Sequence, residues 1–140
     1  MTGVKEMVIA AGAGIENLAP ADVAVELDRP GVLLVDVREP GETARGVIPG
    51  AVLVPRGMLE FRADSATSSH LDGFDLGRRV IVYCAAGSRS ALAARSLQEL
   101  GYGDVAHLRG GFTAWLDDGR PVAAPPADDH RSRPDLGAAS

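Results

Sequence analysis

Val80-Ile81-Val82-Tyr83-Cys84-Ala85-Ala86-Gly87-Ser88-Arg89-Ser90 is the stretch on which the fold turns. A continuous apolar run ends at the chain's one cysteine, a turn of small residues follows, and a helical pattern begins. Such a run, without polar alternation, predicts a strand buried on both faces. Strand, tight turn and helix in that order deliver a thiol to the mouth of a strand, beneath the positive end of a helix. Taken alone, a single cysteine reads most simply as buried packing. Gly87, Ser88 and Arg89 beside it favour the other reading, a reactive thiol at a turn of exposed backbone N–H groups.

Working outward, residues 32–35 repeat the continuous apolar pattern and predict a second buried strand. Residues 51–54, introduced by the turn Pro49-Gly50, and residues 104–108 predict two more. Pro20 suits the first turn of a helix over about 21–27, which Pro30-Gly31 stops. From Ser88 to Leu100, Ala93, Ala94, Leu97 and Leu100 share one helical face, and Gly101 suits the position after its end. A short last helix is expected near 112–117, with Trp115 and Phe112 in its core-facing pattern. Strands alternating with helices predict an α/β class, a single domain with a parallel sheet covered by helices on both faces. Residues 1–14 are expected to be a flexible segment, 15–120 the domain, and 121–140, rich in Ala, Pro and charge, a disordered tail. The polar connection 62–78 is long for a loop and hints at a lid or binding loop.

The chain has 140 residues, 46% of them hydrophobic and 24% charged, the composition of an ordinary globular domain. A formal net charge of −5 argues against nucleic acid or an anionic membrane as partner. One cysteine excludes an intrachain disulfide framework and a multi-thiolate metal site, and nothing else calls for a metal or cofactor. The apolar stretch at residues 7–13 is too short and too rich in Gly and Ala for a signal peptide or membrane span, so a cytoplasmic location is expected.

In a parallel α/β sheet, ligands bind at the carboxyl ends of the strands. There the strand 32–35 runs into Asp36-Val37-Arg38-Glu39, the strand 51–54 into Pro55-Arg56-Gly57, and the strand 80–83 into Cys84. Ala85, Ala86, Gly87 and Ser88 are small enough for their N–H groups to converge on one point, and the helix from Ser88 adds about half a positive charge. Together these favour a nucleophilic thiolate at Cys84. Arg89 either supplies charge to a bound anion or ties the loop to Asp36 or Glu39. Asp36 and Arg38 read first as a buried ion pair stapling a strand end, with added positive potential in the pocket as the alternative. Arg56 is either a surface residue or an anion contact. His70 reads as solvated or at the pocket rim, His107 as structural, and Gly110-Gly111 as a tight strand-to-helix turn.

These residues resemble a known family. Asp36-Val37-Arg38-Glu39 with Glu42 resembles the acidic-Val-Arg signature of single-domain rhodaneses, which are sulfurtransferases. Gly46-Val47-Ile48-Pro49-Gly50-Ala51 resembles that family's His-Ile-Pro-Gly-Ala motif, with Val47 where His is frequent. Cys84-Ala85-Ala86-Gly87-Ser88-Arg89-Ser90 resembles its Cys-x-x-Gly-x-Arg-Ser active loop. Leu108-Arg109-Gly110-Gly111-Phe112-Thr113-Ala114-Trp115 resembles its closing Gly-Gly-x-x-Ala-Trp. The resemblance covers about residues 19–119 and implies a five-stranded parallel sheet, whose fifth strand would come from about residues 15–18.

The chemistry it implies is sulfur transfer. Cys84 attacks an anionic donor such as thiosulfate, carries the sulfur as a persulfide, and passes it to a thiol or cyanide, or exchanges it with a protein donor or acceptor. Residues 85–90 form the anion-binding loop, with Asp36, Arg38 and Arg56 in support. Two rivals stand beside this reading. Cysteine-dependent phosphatases and arsenate reductases resemble the loop but place five residues between Cys and Arg, whereas four separate Cys84 from Arg89. A rhodanese-like carrier or regulatory module without catalysis is the other, and such modules typically lose the cysteine.

Overall fold

The apolar runs form the middle of one parallel sheet. The computed structural model describes residues 3–126, in the order α1 (Val4–Ala13), β1 (Glu16–Leu18), α2 (Pro20–Leu27), β2 (Val32–Asp36), α3 (Pro40–Thr43), β3 (Val52–Leu53), α4 (Leu59–Ala63), β4 (Arg79–Tyr83), α5 (Ser88–Glu99), β5 (Val105–Leu108) and α6 (Gly111–Asp117). The five strands lie in the order β1-β5-β4-β2-β3, all parallel. The fold is therefore the α/β class expected, and β1 is the fifth strand. Alternate residues of each central strand enter opposite layers, as the pleat requires. Leu33, Val35, Val80 and Val82 pack with Leu59 of α4 and Ala94 and Leu97 of α5. Leu34, Ile81, Tyr83, Ala106 and Leu108 pack on the other face with Val23 of α2 and Trp115 of α6.

The strands' amino-terminal edge is closed by Arg79, whose guanidinium bonds Glu16 of β1, Glu26 of α2 and Asp104. Their carboxyl-terminal edge carries Asp36 and Cys84 and is left for chemistry. Among the described residues no helix is long and apolar enough to cross a membrane.

Three expectations need correction. The segment expected to be flexible, residues 1–14, carries α1 over Val4–Ala13, which packs along α5 and buries Ala11 to 1% exposure; residues 1 and 2 lie outside the described residues. The start of the expected disordered tail is ordered. Ala123 pairs antiparallel with Val47, and the Trp115 indole N–H donates to the Pro121 carbonyl at 2.7 Å; residues 127–140 lie outside the described residues. Nor is the 62–78 connection a lid. Leu71 and Phe74 are core residues, and Arg78 reaches the Gly31 carbonyl just before β2, at the end of the sheet opposite Cys84. Its polar composition concealed two apolar anchors.

Candidate active site

Cys84 follows the last residue of β4, and α5 begins at Ser88. Between them Gly87 takes φ +110°, a conformation open to glycine at little cost. That turn points the Gly87 N–H at Sγ at 3.1 Å and brings the Ser90 N–H to 3.3 Å. The loop's other side is held by the closing motif. The Phe112 N–H donates to the Cys84 carbonyl at 2.8 Å, and the Thr113 N–H to the Ala85 carbonyl at 3.0 Å. With those carbonyls engaged by the first turn of α6, the Gly87 and Ser90 N–H groups are left to face the thiol; of the expected loop donors at 85–90, these two reach it. Gly110-Gly111 thus does more than turn the chain, a role the sequence reading missed: Gly111, at φ +61°, lies so close that a Cβ there would sit 2.5 Å from the Cys84 carbonyl oxygen.

The thiol is sealed, for Cys84 is 0% exposed while Ala86 and Ser88 are open to solvent. A partner's sulfur reaches Sγ only when the 85–89 loop gives or the side chain turns outward.

The arginines are partnered. Arg89 does not meet Asp36 or Glu39; it forms a two-pronged pair with Glu42 at 2.7 and 2.9 Å, tying the start of α5 to α3. That pair holds the Glu42 carboxyl down at about 2. Arg38 and Asp36 are the buried staple of the first reading, with guanidinium contacts to the carboxylate from 2.8 to 3.1 Å. Arg38 also donates to the Gly46 carbonyl at 2.7 Å and lies 4.2 Å from the Phe112 ring centre. Arg56 bonds Glu60 at 2.9 Å and Ser96 on α5 at 3.0 Å, so its guanidinium is committed within the fold. His70 bonds the Phe74 carbonyl at 3.0 Å, away from the loop.

His107, read from the sequence as structural, lies beside the thiol's own hydrogen-bond partner, a placement the sequence reading did not give. Its Nδ1 lies 2.9 Å from the Ser90 hydroxyl and its Nε2 2.7 Å from Asn17 Oδ1. Ser90 Oγ is in turn 3.5 Å from Sγ. The signal was positional: β1 pairs with β5 in a register that sets Asn17 beside His107.

The Rhodanese-like domain model matches residues 19–118. A protein named sulfurtransferase from Allochromatium vinosum is 40% identical over 98 residues, 70% of this chain and 84% of that protein. Other curated relatives are longer, and the chain spans 37% of one and 21% of another. Among solved structures, one described as a protein of unknown function and possible tyrosine phosphatase from Rhodopseudomonas palustris is similar at TM-score 0.83 and 40% identity, covering 88% of this chain and 96% of that one. The polysulfide-sulfur transferase homodimer of Wolinella succinogenes is similar at TM-score 0.69 and 32% identity, covering 90% of each chain.

Proposed function

The chain belongs to the rhodanese-like family, and on that premise we propose that it is a sulfurtransferase whose sulfur-carrying nucleophile is Cys84. The Cys84 thiolate attacks the outer sulfur of a small anionic donor such as thiosulfate. The donor's S–S bond breaks, and its electron pair leaves with sulfite. A thiol or cyanide then attacks the terminal sulfur of the persulfide and releases the thiolate, a ping-pong sequence. The single observation that carries this reading is the sulfur cradle, with two backbone N–H groups 3.1 and 3.3 Å from Sγ at the start of a helix. Such donors stabilise a sulfur anion without rearranging as the charge forms.

The neighbour described as a possible tyrosine phosphatase raises the rival reaction. The four-residue spacing from Cys84 to Arg89, and the commitment of Arg89 to Glu42, favour a single sulfur atom over a tetrahedral oxyanion. With no second cysteine in the chain, the sulfur leaves to an acceptor outside it. The test is intact-mass spectrometry after thiosulfate treatment. One added sulfur is expected on the native protein and none on Cys84→Ser; release of phosphate from an aryl phosphate without that adduct overturns the proposal. Loading only from another protein's persulfide would place the protein among carriers.

A further inference from the structure

Asn17, His107 and Ser90 form a chain of hydrogen bonds that runs from the surface at Asn17 to the buried thiol, and each donor and acceptor in it follows from its partners. The Asn17 amide N–H₂ donates to the Gly12 carbonyl at 2.9 Å and the Ile15 carbonyl at 3.0 Å. Its oxygen is therefore the atom facing His107, so Nε2 carries a proton and donates to it. In a neutral imidazole Nδ1 is then bare and accepts from the Ser90 hydroxyl. Ser90 has one proton and two acceptors in reach, the Gly87 carbonyl at 3.2 Å and the bare His107 Nδ1 at 2.9 Å. The nearer imidazole nitrogen, which has no other donor, takes it, so Ser90 faces Sγ as an acceptor and takes the hydrogen bond of the thiol.

Ionising Cys84 disturbs this order. A fully buried thiolate beside a neutral relay keeps the Gly87 and Ser90 N–H donors but has no counter-charge and faces a lone pair of Ser90 Oγ, an arrangement that burial makes costly. One rearrangement keeps every atom paired and the total charge zero. The thiol proton passes to Ser90 Oγ, and the original hydroxyl proton passes to His107 Nδ1. The imidazolium then donates to Ser90, and Ser90 donates to the thiolate beside the Gly87 and Ser90 N–H groups. No proton enters or leaves.

We propose that His107, acting through Ser90 and held by Asn17, stores the Cys84 proton and so stabilises the sulfur anion within the fold. His107 touches no reacting atom; it is a positioning residue. The titratable and charged groups facing it are Cys84 across Ser90 and Arg109 just beyond it on its own strand; β1 presents the Asn17 amide and α5 the Ser90 hydroxyl. Burial and then Arg109 push the imidazole below its usual range, so with Cys84 as the thiol it rests neutral. Only the thiolate offers it compensation. Two groups coupled this closely share their titration steps.

The inference rests on Cys84 being the sulfur nucleophile, and the experiment separates the two ideas. His107 is followed by NMR of its ring nitrogens against pH in the full chain, as native protein and as Cys84→Ser. The rate of Cys84 alkylation by iodoacetamide against pH is measured in native protein, Ser90→Ala and His107→Asn. The His107 titration is expected to fall by about one pH unit or more once the thiolate is lost, the size an opposite charge nearby produces. Both relay variants are expected to shift the onset of alkylation upward, giving at least a tenfold slower rate at neutral pH and a common rate at high pH. Identical His107 titrations in native protein and Cys84→Ser, or native alkylation profiles in both relay variants, overturn the relay. Should a relay variant fail to fold, the NMR comparison still decides. Thiosulfate loading on the same samples reports the sulfur reading by itself: loading without coupling defeats the relay alone, and absence of loading in the native protein defeats the assignment beneath it.

Discussion

Replacing Gly111 by alanine tests whether the closing motif holds the active loop. An alanine there must accept φ +61°, a left-handed conformation that costs a residue with a Cβ about 1–2 kcal/mol. Its Cβ would also lie 2.5 Å from the Cys84 carbonyl oxygen and 2.7 Å from the carbonyl carbon and oxygen of Ala85. All three are backbone atoms, so no side chain can swing away, and the loop must part from α6. Parting breaks the bonds from Phe112 and Thr113, at about 1 kcal/mol each. The sum is about 3–4 kcal/mol, a fall in Tm of roughly ten degrees for a domain of this size. Calorimetry gives the stability and iodoacetamide labelling gives the thiol's reactivity at neutral pH, which should change with it. Gly12→Ala is the control: nothing lies within 4 Å of its Cβ, and as a helical position it should gain up to about 1 kcal/mol. A Gly111→Ala protein within about 1 kcal/mol of native, with unchanged labelling, would refute the idea that α6 supports the loop.

Other perturbations probe the remaining partners. Glu42 has its carboxyl lowered from 4.5 to about 2 by the Arg89 pair, so it contributes stability above pH 4.5 that is lost as pH falls towards 2. Glu42→Gln should flatten that acid limb in urea titrations, by under ~1 kcal/mol because the pair is partly solvated. Asp36→Ala leaves the Arg38 guanidinium, 5% exposed, without its acid; the urea midpoint should show a loss of about 3–5 kcal/mol. Tyr83→Phe removes the phenol oxygen that accepts the Ile48 N–H at 3.0 Å, and should cost about 1–3 kcal/mol. A loss below that range would mean the Ile48 N–H finds water.

What could be read from the sequence follows how local each signal is. β2 and β4 announce themselves because a strand buried on both faces must be apolar throughout. β1 does not: it is three residues long at the sheet edge, and only Leu18 of it is buried. α1 was missed because its Ala- and Gly-rich sequence carries little pattern and one buried residue, Ala11, docks it. The cradle was legible, since the cysteine, the glycine turn and the helix start lie within one short stretch. The partners of its arginines were not. Arg89 chooses Glu42 from 47 residues away, a choice made by how α3 meets α5. His107 looked like any polar strand residue until the register of β1 on β5 gave it Asn17.

The bond between Asn17 and His107 joins residues 90 apart in the chain. Because the surroundings of Cys84 draw on the first and last strands, they exist only once both are made. A chain still emerging from the ribosome carries Cys84 for roughly 1–5 s before β5 follows it, at ordinary synthesis rates. Through that interval its sulfur lacks the relay and the support of α6, and has only the chemistry of an unstructured thiol. Labelling of Cys84 on stalled nascent chains of increasing length should therefore change abruptly, after β5 and α6 have cleared the exit and not when the cysteine itself appears.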